Sequence, residues 1–509
     1  MTTATAKTKP WYLQSWIVAP CLFFFYPAGV VLLWKSPKFR LGFKIFATVG
    51  FLPVFGLETL IALKPYWDFN GSMAFSGFRL DFDRGVFRDR LIERHRADQK
   101  ESTASSMPAD TSLLAVSWTG FRGPHRDGLV SAGTISLDWS AQPPREIYRQ
   151  PVGAGYAGFS VGAGRAYTIE QRRDREAVVC YDLATGHELW VFDYEASFEE
   201  VLGGNGPRST PTIADGRLYV LGAQGHLHCL DSMTGKMYWA RNVLADFGEE
   251  NLSWGMAGSP LVMNGKVVVT SSGQGGPGVL SFDAESGGLL WKSDAGTQCY
   301  SSLMDVMLAD RRQILNLADS ALNGIDPADG SVLWSYPWKL SGGPSCAQPL
   351  VIGGDRVMVS SGYGRGACVV GVRAPAKPGD RFEVSQVWCT TKLRNKFASS
   401  VLLAGAIYGL DEGILCCLDS TSGKMNWKEG RFGHGSILLV GDMLLILGEQ
   451  GELALVKAEP KGFHEVARIQ ALTGRTWNNF AVVGGVVLAR NHKEMVAYDL
   501  RPLRALPRH

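Results

Sequence analysis

The residues best suited to chemistry in this chain are polar and aromatic side chains placed just before short apolar strands that recur between residues 205 and 478. Arg208 and Lys396 are cations that can pair with an anionic group, and Trp254 and Trp477 offer flat faces on which a ring can stack. Hydrogen-bonding groups accompany them at Asn205, Tyr300, Ser301, His434 and Asn478. A fold that brings these segments together makes them a ligand mouth. The alternative is that they only satisfy backbone groups and water.

Two short glycine-containing motifs match enzyme signatures only in their letters. GAGYAG at 153–158 has the spacing of a dinucleotide-binding loop, but that loop must lie between a strand and a helix. GFSVG at 158–162 has the spacing of a nucleophile elbow around Ser160, which also requires a strand-to-helix turn. Only strands are predicted around these residues, so we assign neither activity.

Charge and composition exclude some classes of function. The 509 residues include 51 Lys or Arg and 48 Asp or Glu, and the formal net charge of +3 lacks the basic excess of a nucleic-acid-binding domain. Glycine is abundant at 60 residues and only 19% of residues are charged, which indicates many turns and a membrane contribution. A chain of this length exceeds one compact core, which predicts two domains or a repeat array.

Two apolar stretches near the N-terminus, 16–34 and 45–63, each have about the ~20 residues that cross a bilayer as a helix. The segment between them, KSPKFRLGFK, has four basic residues and no acidic one, which favours a cytoplasmic position. Residues 1–64 therefore predict a transmembrane helical hairpin in the bacterial inner membrane, with the body facing the periplasm. The alternatives are a signal peptide, against which the second apolar stretch argues, and a buried helical pair.

Residues 65–117 are predicted to form a stalk and linker. The segment mixes charges of both signs, and an amphipathic helix is plausible over 86–99. A stretch rich in Ser, Thr and Ala follows at 101–106 and is typical of a flexible linker.

One ten-residue phrase recurs five times in the body, as in YDLATGHELW at 181–190. Each copy has an Asp, a Gly four positions later and a Trp eight positions later. The Asp can cap a tight turn, the Gly supplies a positive φ, and the Trp lies on the returning strand, so each phrase predicts a β-hairpin. The Asp and Trp pairs are Asp182 and Trp190, Asp231 and Trp239, Asp283 and Trp291, Asp326 and Trp334, and Asp419 and Trp427.

Each hairpin has another pair of short apolar strands upstream, such as the pair joined at Asp215 and Gly216. Four antiparallel strands per unit predict a β-propeller blade, and the repeat tryptophans, with Trp388, are 39 to 54 residues apart. Two degenerate units follow, at 433–471 and 476–500, and the last lacks its fourth strand. The lone strand 146–150, with Tyr148 in place of a Trp, is predicted to complete blade eight. The propeller then covers 118–502 and a tail covers 503–509.

The Asp, Gly and Trp phrase resembles the tryptophan-docking repeat of eight-bladed propellers of the pyrroloquinoline-quinone (PQQ) type. Quinoprotein alcohol dehydrogenases and the outer-membrane assembly lipoprotein BamB share that repeat. The entry segment WTGFRGPHRDGLVS at 118–131 is similar to the leader of a bacterial subgroup of PQQ-binding-like repeat proteins. Four further similar segments are NGPRSTPT (205–212), WGMAGSPLV (254–262), SSGYGRGA (360–367) and FASSVL (397–402). The resemblance covers about 110–502 and implies an all-β, eight-bladed fold, but its subgroup is defined by repeats rather than by a reaction.

A quinoprotein dehydrogenase needs a Ca²⁺ cage of oxygen ligands, a catalytic Asp, a cationic partner for the quinone and a Trp beneath it. Arg208 and Lys396 suit the cationic role, and Trp477 suits the stacking role. Asp305 and Asp411 are isolated in the sequence, and neither falls in a segment that matches the family's catalytic segments. We therefore assign no catalytic residue and no metal ligand.

Cys416 and Cys417 are similar to the vicinal disulfide against which methanol dehydrogenases hold their quinone. Their register argues for a core position instead, because Cys417 stands two residues before a repeat Asp, where small residues pack inside a blade, and Cys416 points to the opposite face. A bridge between Cys368 and Cys389, on neighbouring strands of blade five, is the best disulfide candidate. No haem-attachment motif is present in the sequence.

The sequence has the repeats of this family but no carboxylate cluster beside the candidate quinone contacts. This combination favours a binding module over an enzyme. It implies a membrane-anchored periplasmic propeller that binds envelope or membrane proteins through its face, with the hairpin in the lipid bilayer. The alternative is a PQQ- and Ca²⁺-dependent dehydrogenase or a membrane electron-transfer component, with Arg208, Trp254, Lys396 and Trp477 as candidate cofactor contacts. A third possibility is an accessory subunit of a larger membrane complex.

Overall fold

The computed structural model of the chain describes residues 17–18, 21–22, 26–63, 66–69, 75–79, 86–101, 115–131, 135–340, 343–377 and 382–502. The chain divides into two compact units, one of residues 1–69 with 75–84, the other of 70–74 with 85–509. The predicted tail at 503–509 lies outside the described residues.

The described residues of the smaller unit include two helices with defined bounds and a two-stranded sheet, and residues 17–18 and 21–22 are also helical. Helix α1 spans Tyr26–Lys35, helix α2 spans Leu41–Leu63, and strand β1 (Tyr66–Phe69) pairs antiparallel with β2 (Phe75–Arg79). The two-span transmembrane hairpin is not supported: among the helical residues that can be described, no helix has both the length and the apolarity to cross a membrane.

The larger unit contains eight sheets that follow one another along the chain, and each is one blade of a propeller in which four strands pair antiparallel. In blades one to seven the strands are hydrogen-bonded in chain order from the inner to the outer strand. Their bounds are, for blade one, β5 (Ser160–Gly162), β6 (Arg165–Arg172), β7 (Arg175–Asp182) and β8 (Glu188–Glu195); for blade two, β9 (Thr212–Ala214), β10 (Arg217–Leu221), β11 (His226–Asp231) and β12 (Met237–Asn242); for blade three, β13 (Leu261–Met263), β14 (Lys266–Thr270), β15 (Val279–Asp283) and β16 (Leu289–Ser293); and for blade four, β17 (Met304–Leu308), β18 (Arg311–Leu317), β19 (Ala321–Ile325) and β20 (Val332–Pro337).

The remaining blades complete the eight-bladed architecture that the repeats predict. Their bounds are, for blade five, β21 (Leu350–Gly353), β22 (Arg356–Ser361), β23 (Gly366–Arg373) and β24 (Glu383–Thr390); for blade six, β25 (Val401–Leu403), β26 (Ala406–Asp411), β27 (Ile414–Asp419) and β28 (Met425–Arg431); for blade seven, β29 (Ser436–Val440), β30 (Met443–Leu447), β31 (Glu452–Lys457) and β32 (Glu465–Gln470); and for blade eight, β33 (Ala481–Val483), β34 (Val486–Arg490), β35 (Glu494–Asp499) and β4 (Arg145–Pro151).

Strands from before blade one complete blades seven and eight. β4, which contains the lone strand 146–150, pairs antiparallel with β35 and is the outer strand of blade eight. β3 (Leu129–Val130) pairs parallel with β29, the inner strand of blade seven. Because every blade then has a neighbour on both sides, the ring leaves only outer strands exposed as edges.

The apolar pattern of each strand follows its place in the blade. Middle strands are buried along their length, as in β26 and β30, because both faces pack against neighbouring blades. Outer strands alternate between exposed and partly buried residues, as in β32. The buried clusters accordingly join adjacent blades, such as the cluster of Tyr408, Cys417, Ile437 and Leu444 between blades six and seven.

The repeated phrase joins each blade to the next. Asp231 Oδ1 accepts hydrogen bonds from the backbone N–H groups of Met233 and Thr234 (3.1 and 2.8 Å), which shapes the turn. The Trp190 ring of blade one packs on Gly235 in that turn, and its Nε1 donates to the Ser232 carbonyl at 3.2 Å. The same pairing recurs for Trp239 on Gly287, Trp291 on Gly330 and Trp388 on Gly423. Tyr148 packs on Gly186 in the same manner and links blade eight to blade one.

Blade four is an exception to this pattern. Trp334 donates from Nε1 to Gln313 Oε1 of its own blade at 2.5 Å, because blade five has no Asp and Gly phrase to receive it. Blade five instead carries the disulfide between Cys368 and Cys389, whose Cα atoms are 4.1 Å apart on paired strands. The predicted bridge is therefore present in the structure.

We expect Gly235→Ala to lower the free energy of unfolding by about 2–4 kcal/mol, measured by chemical denaturation. A Cβ at Gly235, where φ is +73°, would stand 2.6 Å from the Trp190 ring. Gly216 has the same φ of +73° and no atom within 4 Å of a built Cβ, so Gly216→Ala should cost only the ~1–2 kcal/mol of the left-handed backbone. Equal effects of the two substitutions would contradict the docking role of Trp190.

Helix α3 (Val86–Glu101) includes the amphipathic segment predicted at 86–99 and lies against the junction of blades eight and one. Gln99 Oε1 accepts from the Glu188 N–H at 3.1 Å, and the Arg96 guanidinium pairs with the Glu188 carboxylate at 2.7 Å. On the other blade, His95 Nε2 is 3.0 Å from Gln150 Oε1. The helix therefore covers the place where the two ends of the ring meet.

Candidate functional site

The segments that precede the inner strands converge on a cavity of about 170 Å³ at one end of the hub. We call this space the hub-mouth cavity. Seven aromatic rings line it, from Phe121, Tyr156, Trp254, Tyr300, Tyr363, Phe397 and Trp477. Four of the nine residues predicted for a ligand mouth, Arg208, Trp254, Tyr300 and Trp477, therefore face one space. They meet because each inner strand starts at the same end of the hub.

One side of the cavity is formed by Trp254 and Tyr300, from the segments before blades three and four. Their rings lie edge to face with centroids 5.7 Å apart, an arrangement that aromatic quadrupoles favour. The Tyr300 hydroxyl accepts from the Trp254 N–H at 3.3 Å. Burial raises the pKa of Tyr300, so the hydroxyl stays protonated at neutral pH.

The opposite side is built around Trp477, from the segment before blade eight. Its ring is 4.8 Å from that of Phe397 and 5.6 Å from that of Tyr156 between centroids. Its Nε1 donates to Glu449 Oε1 at 2.9 Å, so a buried carboxylate fixes the indole from behind. Glu449 itself accepts from the His434 N–H at 3.2 Å.

Arg208 supplies the cation of the cavity wall. Its guanidinium donates to the carbonyls of Gly206 (2.7 Å) and Gly204 (2.8 Å) and lies 5.0 Å from the Phe198 ring centroid. Burial lowers the pKa of Arg208 from its ordinary value. Two of its five N–H donors are used by these carbonyls, so further donors can serve a ligand.

Arg475 is a second guanidinium close to the wall. It lies 4.4 Å from the Trp477 ring centroid and donates to the Tyr156 hydroxyl at 2.8 Å. Sequence reasoning missed it, although it stands only two residues before Trp477. Arg475, like Arg208, is a cation in the segment before an inner strand. The rule that selected Arg208 from the sequence would therefore also have selected Arg475.

Lys396 and His434 lie behind the aromatic wall rather than on it. The Lys396 ammonium is 4.4 Å from the Tyr363 ring centroid and 3.9 Å from the Glu412 carboxylate, and burial lowers the Lys396 pKa. The His434 ring packs edge-on against Phe397 with centroids 5.8 Å apart. Burial also lowers the His434 pKa, which favours the neutral imidazole.

The remaining three predicted residues join chain segments and do not line the cavity. Asn205 Oδ1 accepts from the Glu200 N–H at 3.4 Å. The buried Ser301 hydroxyl donates to the Ala347 carbonyl at 3.0 Å. Asn478 Nδ2 donates to the Ala157 carbonyl at 2.9 Å. These contacts match the alternative in which hub residues satisfy backbone groups.

The leader segment, residues 118–131, crosses the hub between the inner strands. Phe121 lines the hub-mouth cavity, and Arg122 donates to the carbonyls of Ser400 (3.2 Å) and Ile437 (3.0 Å). Arg126 donates on the other side to the Ser259 carbonyl at 3.0 Å and to two more carbonyls. Burial lowers the pKa of Arg122 to about 10 and that of Arg126 to about 9, so both stay charged at neutral pH. Sequence reasoning did not find this role.

Three features that the sequence analysis weighed against enzyme signatures can be located in the structure. Ser160 is buried within strand β5, and its hydroxyl is not at a strand-to-helix turn. Cys416 and Cys417 are free thiols packed in two different apolar clusters. Asp411 is buried between Arg394 and Lys428 at 2.7 and 2.6 Å, as expected of a structural ion pair.

A Ca²⁺ cage does not fit the residues that surround the hub-mouth cavity. Ca²⁺ takes six to eight oxygen ligands, usually with several carboxylates. Within the described part of the chain, no three His, Cys, Asp or Glu residues are placed to hold one metal ion. The aromatic walls and Arg208 suit a planar anionic ring, but the calcium partner of such a ring has no ligand set here.

Comparison with known proteins relates the chain to two kinds of protein. The family model described as outer membrane protein assembly factor BamB matches residues 174–429, which is 256 of 509 residues. The BamB of Moranella endobia is 22% identical over 253 residues, or 48% of this chain and 62% of that protein. The dehydrogenase subunit of the quinone alcohol dehydrogenase of Gluconacetobacter polyoxogenes is 30% identical over 132 residues, or 22% of this chain and 16% of that protein.

Solved structures are similar at low sequence identity. The crystal structure of BamB from Moraxella catarrhalis is 17% identical, with a TM-score of 0.48 over 72% of this chain and 99% of that one. The computationally designed Ika8 protein is 11% identical, with a TM-score of 0.50 over 70% of this chain and 99% of that one. The chain matches less than two thirds of the length of each curated relative named above.

Proposed function

This chain belongs to the family described as outer membrane protein assembly factor BamB, and on that premise we propose that it is a periplasmic scaffold that binds other envelope proteins. The binding surface is the hub-mouth cavity and the propeller face around it. The disulfide between Cys368 and Cys389 supports an oxidising compartment such as the periplasm. The scaffold serves as a free-standing binding protein or as an accessory subunit of an envelope complex.

The observation that carries this proposal is the combination of seven rings and one guanidinium around a single cavity. Trp, Tyr and Arg are the residue types that dominate binding energy at protein interfaces, and they cluster near the interface centre. A cavity of about 170 Å³ accepts one or two apolar or aromatic side chains of a partner segment. A carbonyl or carboxylate beside that side chain can accept from Arg208.

The first test is crosslinking followed by affinity measurement. The photoreactive residue p-benzoylphenylalanine replaces Val201, an exposed residue next to the cavity-lining Leu202, in the full chain. Crosslinked envelope proteins are identified, and each is purified for titration. We expect Trp254→Ala to weaken binding of such a partner about 30-fold or more. Tyr238→Ala, an exposed aromatic on the outer strand of blade two, serves as the matched control and should change affinity less than threefold. Equal effects of the two substitutions, or no envelope protein among the crosslinks, would contradict the proposal.

A second candidate function is binding of PQQ itself, and the flat aromatic walls with Arg208 favour it. A quinone with carboxylate groups can stack on Trp477 or Trp254 and pair with a guanidinium. Because no oxygen cage accompanies these residues in the part of the chain that the structure describes, we expect any PQQ affinity to be independent of Ca²⁺. The full chain is titrated with PQQ, with and without Ca²⁺, and binding is monitored by the quinone absorbance. This measurement separates the PQQ-binding function from the scaffold function. Saturable binding that Arg208→Met abolishes would favour the cofactor.

A further inference from the structure

The hub-mouth cavity opens on one face of the propeller, which we call the hub-mouth face. The segments that run from the outer strand of one blade to the inner strand of the next line the cavity, through Leu202, Trp254, Tyr300 and Phe397. The turns between the second and third strands of the blades lie on the same face, as Tyr363 does in blade five. Charged side chains on these segments and turns therefore surround the opening of the cavity.

Exposed acidic side chains occupy one half of the hub-mouth face. They follow one another around the ring from the segment between blades one and two to the turn between β18 and β19 of blade four. That turn belongs to the same half, because the Asp319 N–H donates to the Thr297 carbonyl at 2.9 Å. None of these carboxylates is in an ion pair within the described part of the chain. The five residues are Glu199, Asp246, Glu250, Asp294 and Asp319.

Basic side chains occupy the other half, from the segment between blades four and five to the turn between β34 and β35 of blade eight. Lys339 and Lys392 are exposed. Arg394 and Lys428 share one carboxylate, that of the buried Asp411, so a net positive charge remains there. The five basic residues of this half are Lys339, Arg365, Lys392, Arg394 and Lys493.

The residues of opposite sign in each half are engaged within the protein. In the acidic half, Arg208 donates to two backbone carbonyls of the cavity wall, and Arg173 pairs with a carboxylate of helix α3. In the basic half, the Glu412 carboxylate is 3.9 Å from the Lys396 ammonium, and the buried Glu449 accepts from an indole. The two halves therefore present opposite charges to solvent on either side of one aromatic cavity.

The shape of the face favours an occupant with a protruding side chain. The charge pattern alone would also be complementary to a second copy of this chain turned to face the first. That copy has little to insert, because Val201, 63% exposed, is the one large exposed apolar side chain among the described residues of the hub-mouth face. Exposed ion pairs contribute at most ~1 kcal/mol each, so the charges orient a partner whose aromatic anchor supplies most of the affinity.

We propose that the hub-mouth face binds a protein segment in which a protruding aromatic residue separates a basic stretch from an acidic stretch. The aromatic side chain enters the hub-mouth cavity. The basic stretch lies on Glu199, Asp246 and Glu250, and the acidic stretch lies on Lys339 and Lys392. This inference rests on the scaffold function proposed above and adds the charge pattern of the partner.

Synthetic peptides of equal composition test the charge pattern on the full chain. The probe is acetyl-KKKGWGEEE-amide, and its control, acetyl-KEKGWGEKE-amide, has the same residues with the charges mixed. We expect calorimetric titration to give a Kd for the probe on the order of 0.1 mM at low salt, and at least fivefold weaker binding of the mixed peptide. The difference should fall below twofold at roughly 0.5 M salt, where the Debye length is only about 4 Å.

A charge reversal in the acidic half should exchange the preference. Glu199→Lys with Glu250→Lys changes two exposed side chains. This double variant should bind the probe at least fivefold more weakly than the wild-type chain and bind acetyl-EEEGWGEEE-amide at least fivefold more tightly, a gain that misfolding cannot produce. The matched control is Glu285→Lys with Asp442→Lys, which makes the same charge change in exposed turns on the opposite face and should leave both affinities within twofold.

Four results would overturn the proposal. The first is equal affinity for the probe and the mixed peptide, and the second is equal affinity for the probe and acetyl-KKKGAGEEE-amide, which lacks the aromatic anchor. The third is a double variant that loses the probe without gaining the acidic peptide. The fourth is self-association of the chain in sedimentation that the double variant abolishes, because a second copy would then occupy the face. A partner crosslinked at Val201 together with equal peptide affinities would reject the charge pattern and leave the scaffold function standing.

Discussion

Substitution of Arg126 by Met should lower the free energy of unfolding by about 2–4 kcal/mol. The Arg126 guanidinium is the shared donor for the carbonyls of Ser259 (3.0 Å), Leu303 (2.8 Å) and Pro260 on blades three and four. Met keeps much of the side-chain length but leaves these buried acceptors without a donor. Each buried unsatisfied group costs ~1–3 kcal/mol, which the release of a desolvated cation only partly offsets.

Chemical denaturation of the full chain measures this effect. His125→Ala is the matched control, because His125 is the preceding residue and its side chain is exposed. It should change the free energy of unfolding by less than ~0.5 kcal/mol. A loss below ~1 kcal/mol for Arg126→Met would mean that the leader segment only rests in the hub and does not hold neighbouring blades together.

A larger loss, about 3–5 kcal/mol, is expected for Arg490→Met. Arg490 and Glu170 are both fully buried at the junction of blades eight and one, with Arg490 Nη1 3.5 Å from Glu170 Oε2. Arg490 also donates to the Gly153 carbonyl at 2.8 Å and the Thr168 hydroxyl at 2.9 Å. Its removal leaves Glu170 with Arg172 as the one cation in direct contact among the described residues.

Arg373→Met is the matched control, because Arg373 pairs with Glu383 at 3.5 Å while both side chains are about four-fifths exposed. An exposed pair of this kind contributes at most ~1 kcal/mol, so the control should be near neutral. Equal losses from Arg490→Met and Arg373→Met would show that burial of the first pair has no energetic weight. The double variant Glu170→Gln with Arg490→Met should lose less than the sum of the single variants.

The pH dependence of the same pair has a definite sign. Burial raises the pKa of Glu170, but Arg172 and Arg490 together lower it below its usual value. A carboxyl whose folded-state pKa is depressed contributes stability above its ordinary pKa and loses it as the pH falls through the folded-state value. The stability difference between the wild-type chain and Glu170→Gln should therefore be largest near neutral pH and shrink below about pH 4.5.

The blades could be predicted from sequence because the residues that define each hairpin act within a few positions of one another or on the adjacent blade. The Asp caps its own turn, the Gly takes its positive φ four residues later, and the Trp reaches only the next blade, as Trp190 reaches Gly235. Trp334 followed the same spacing but lacks that contact, because the receiving turn is absent from blade five. The spacing of a repeat thus predicts the strands of a blade more reliably than it predicts which residues the repeat tryptophan contacts.

The candidate site could be predicted only in part, for a related reason. Trp254 and Tyr300 both stand in the segment just before an inner strand, so a search of those segments for polar and aromatic residues identified both. Phe121 comes from the leader segment, outside the repeats, and Tyr363 comes from a turn between β22 and β23. Arg126 acts on carbonyls 133 and more residues away, which no local pattern encodes. The apolar stretches near the N-terminus showed the reverse problem, because hydropathy alone predicted a membrane hairpin that the described helices do not support.

The split blade at the ring closure has a consequence for the timing of biosynthesis. Gln150 on β4 and Met495 on β35 meet across 345 residues of sequence. At a translation rate of ~5–20 residues per second, roughly 17 to 70 s pass between the synthesis of β4 and the synthesis of β35. During that interval β4 has an unpaired strand edge. Arg122 and Arg126 of the leader segment also lack their acceptors, because the residues that provide those backbone carbonyls have not all been synthesised. We therefore expect the nascent chain to require a chaperone until the last blade has emerged, with ring closure as the final step of its maturation.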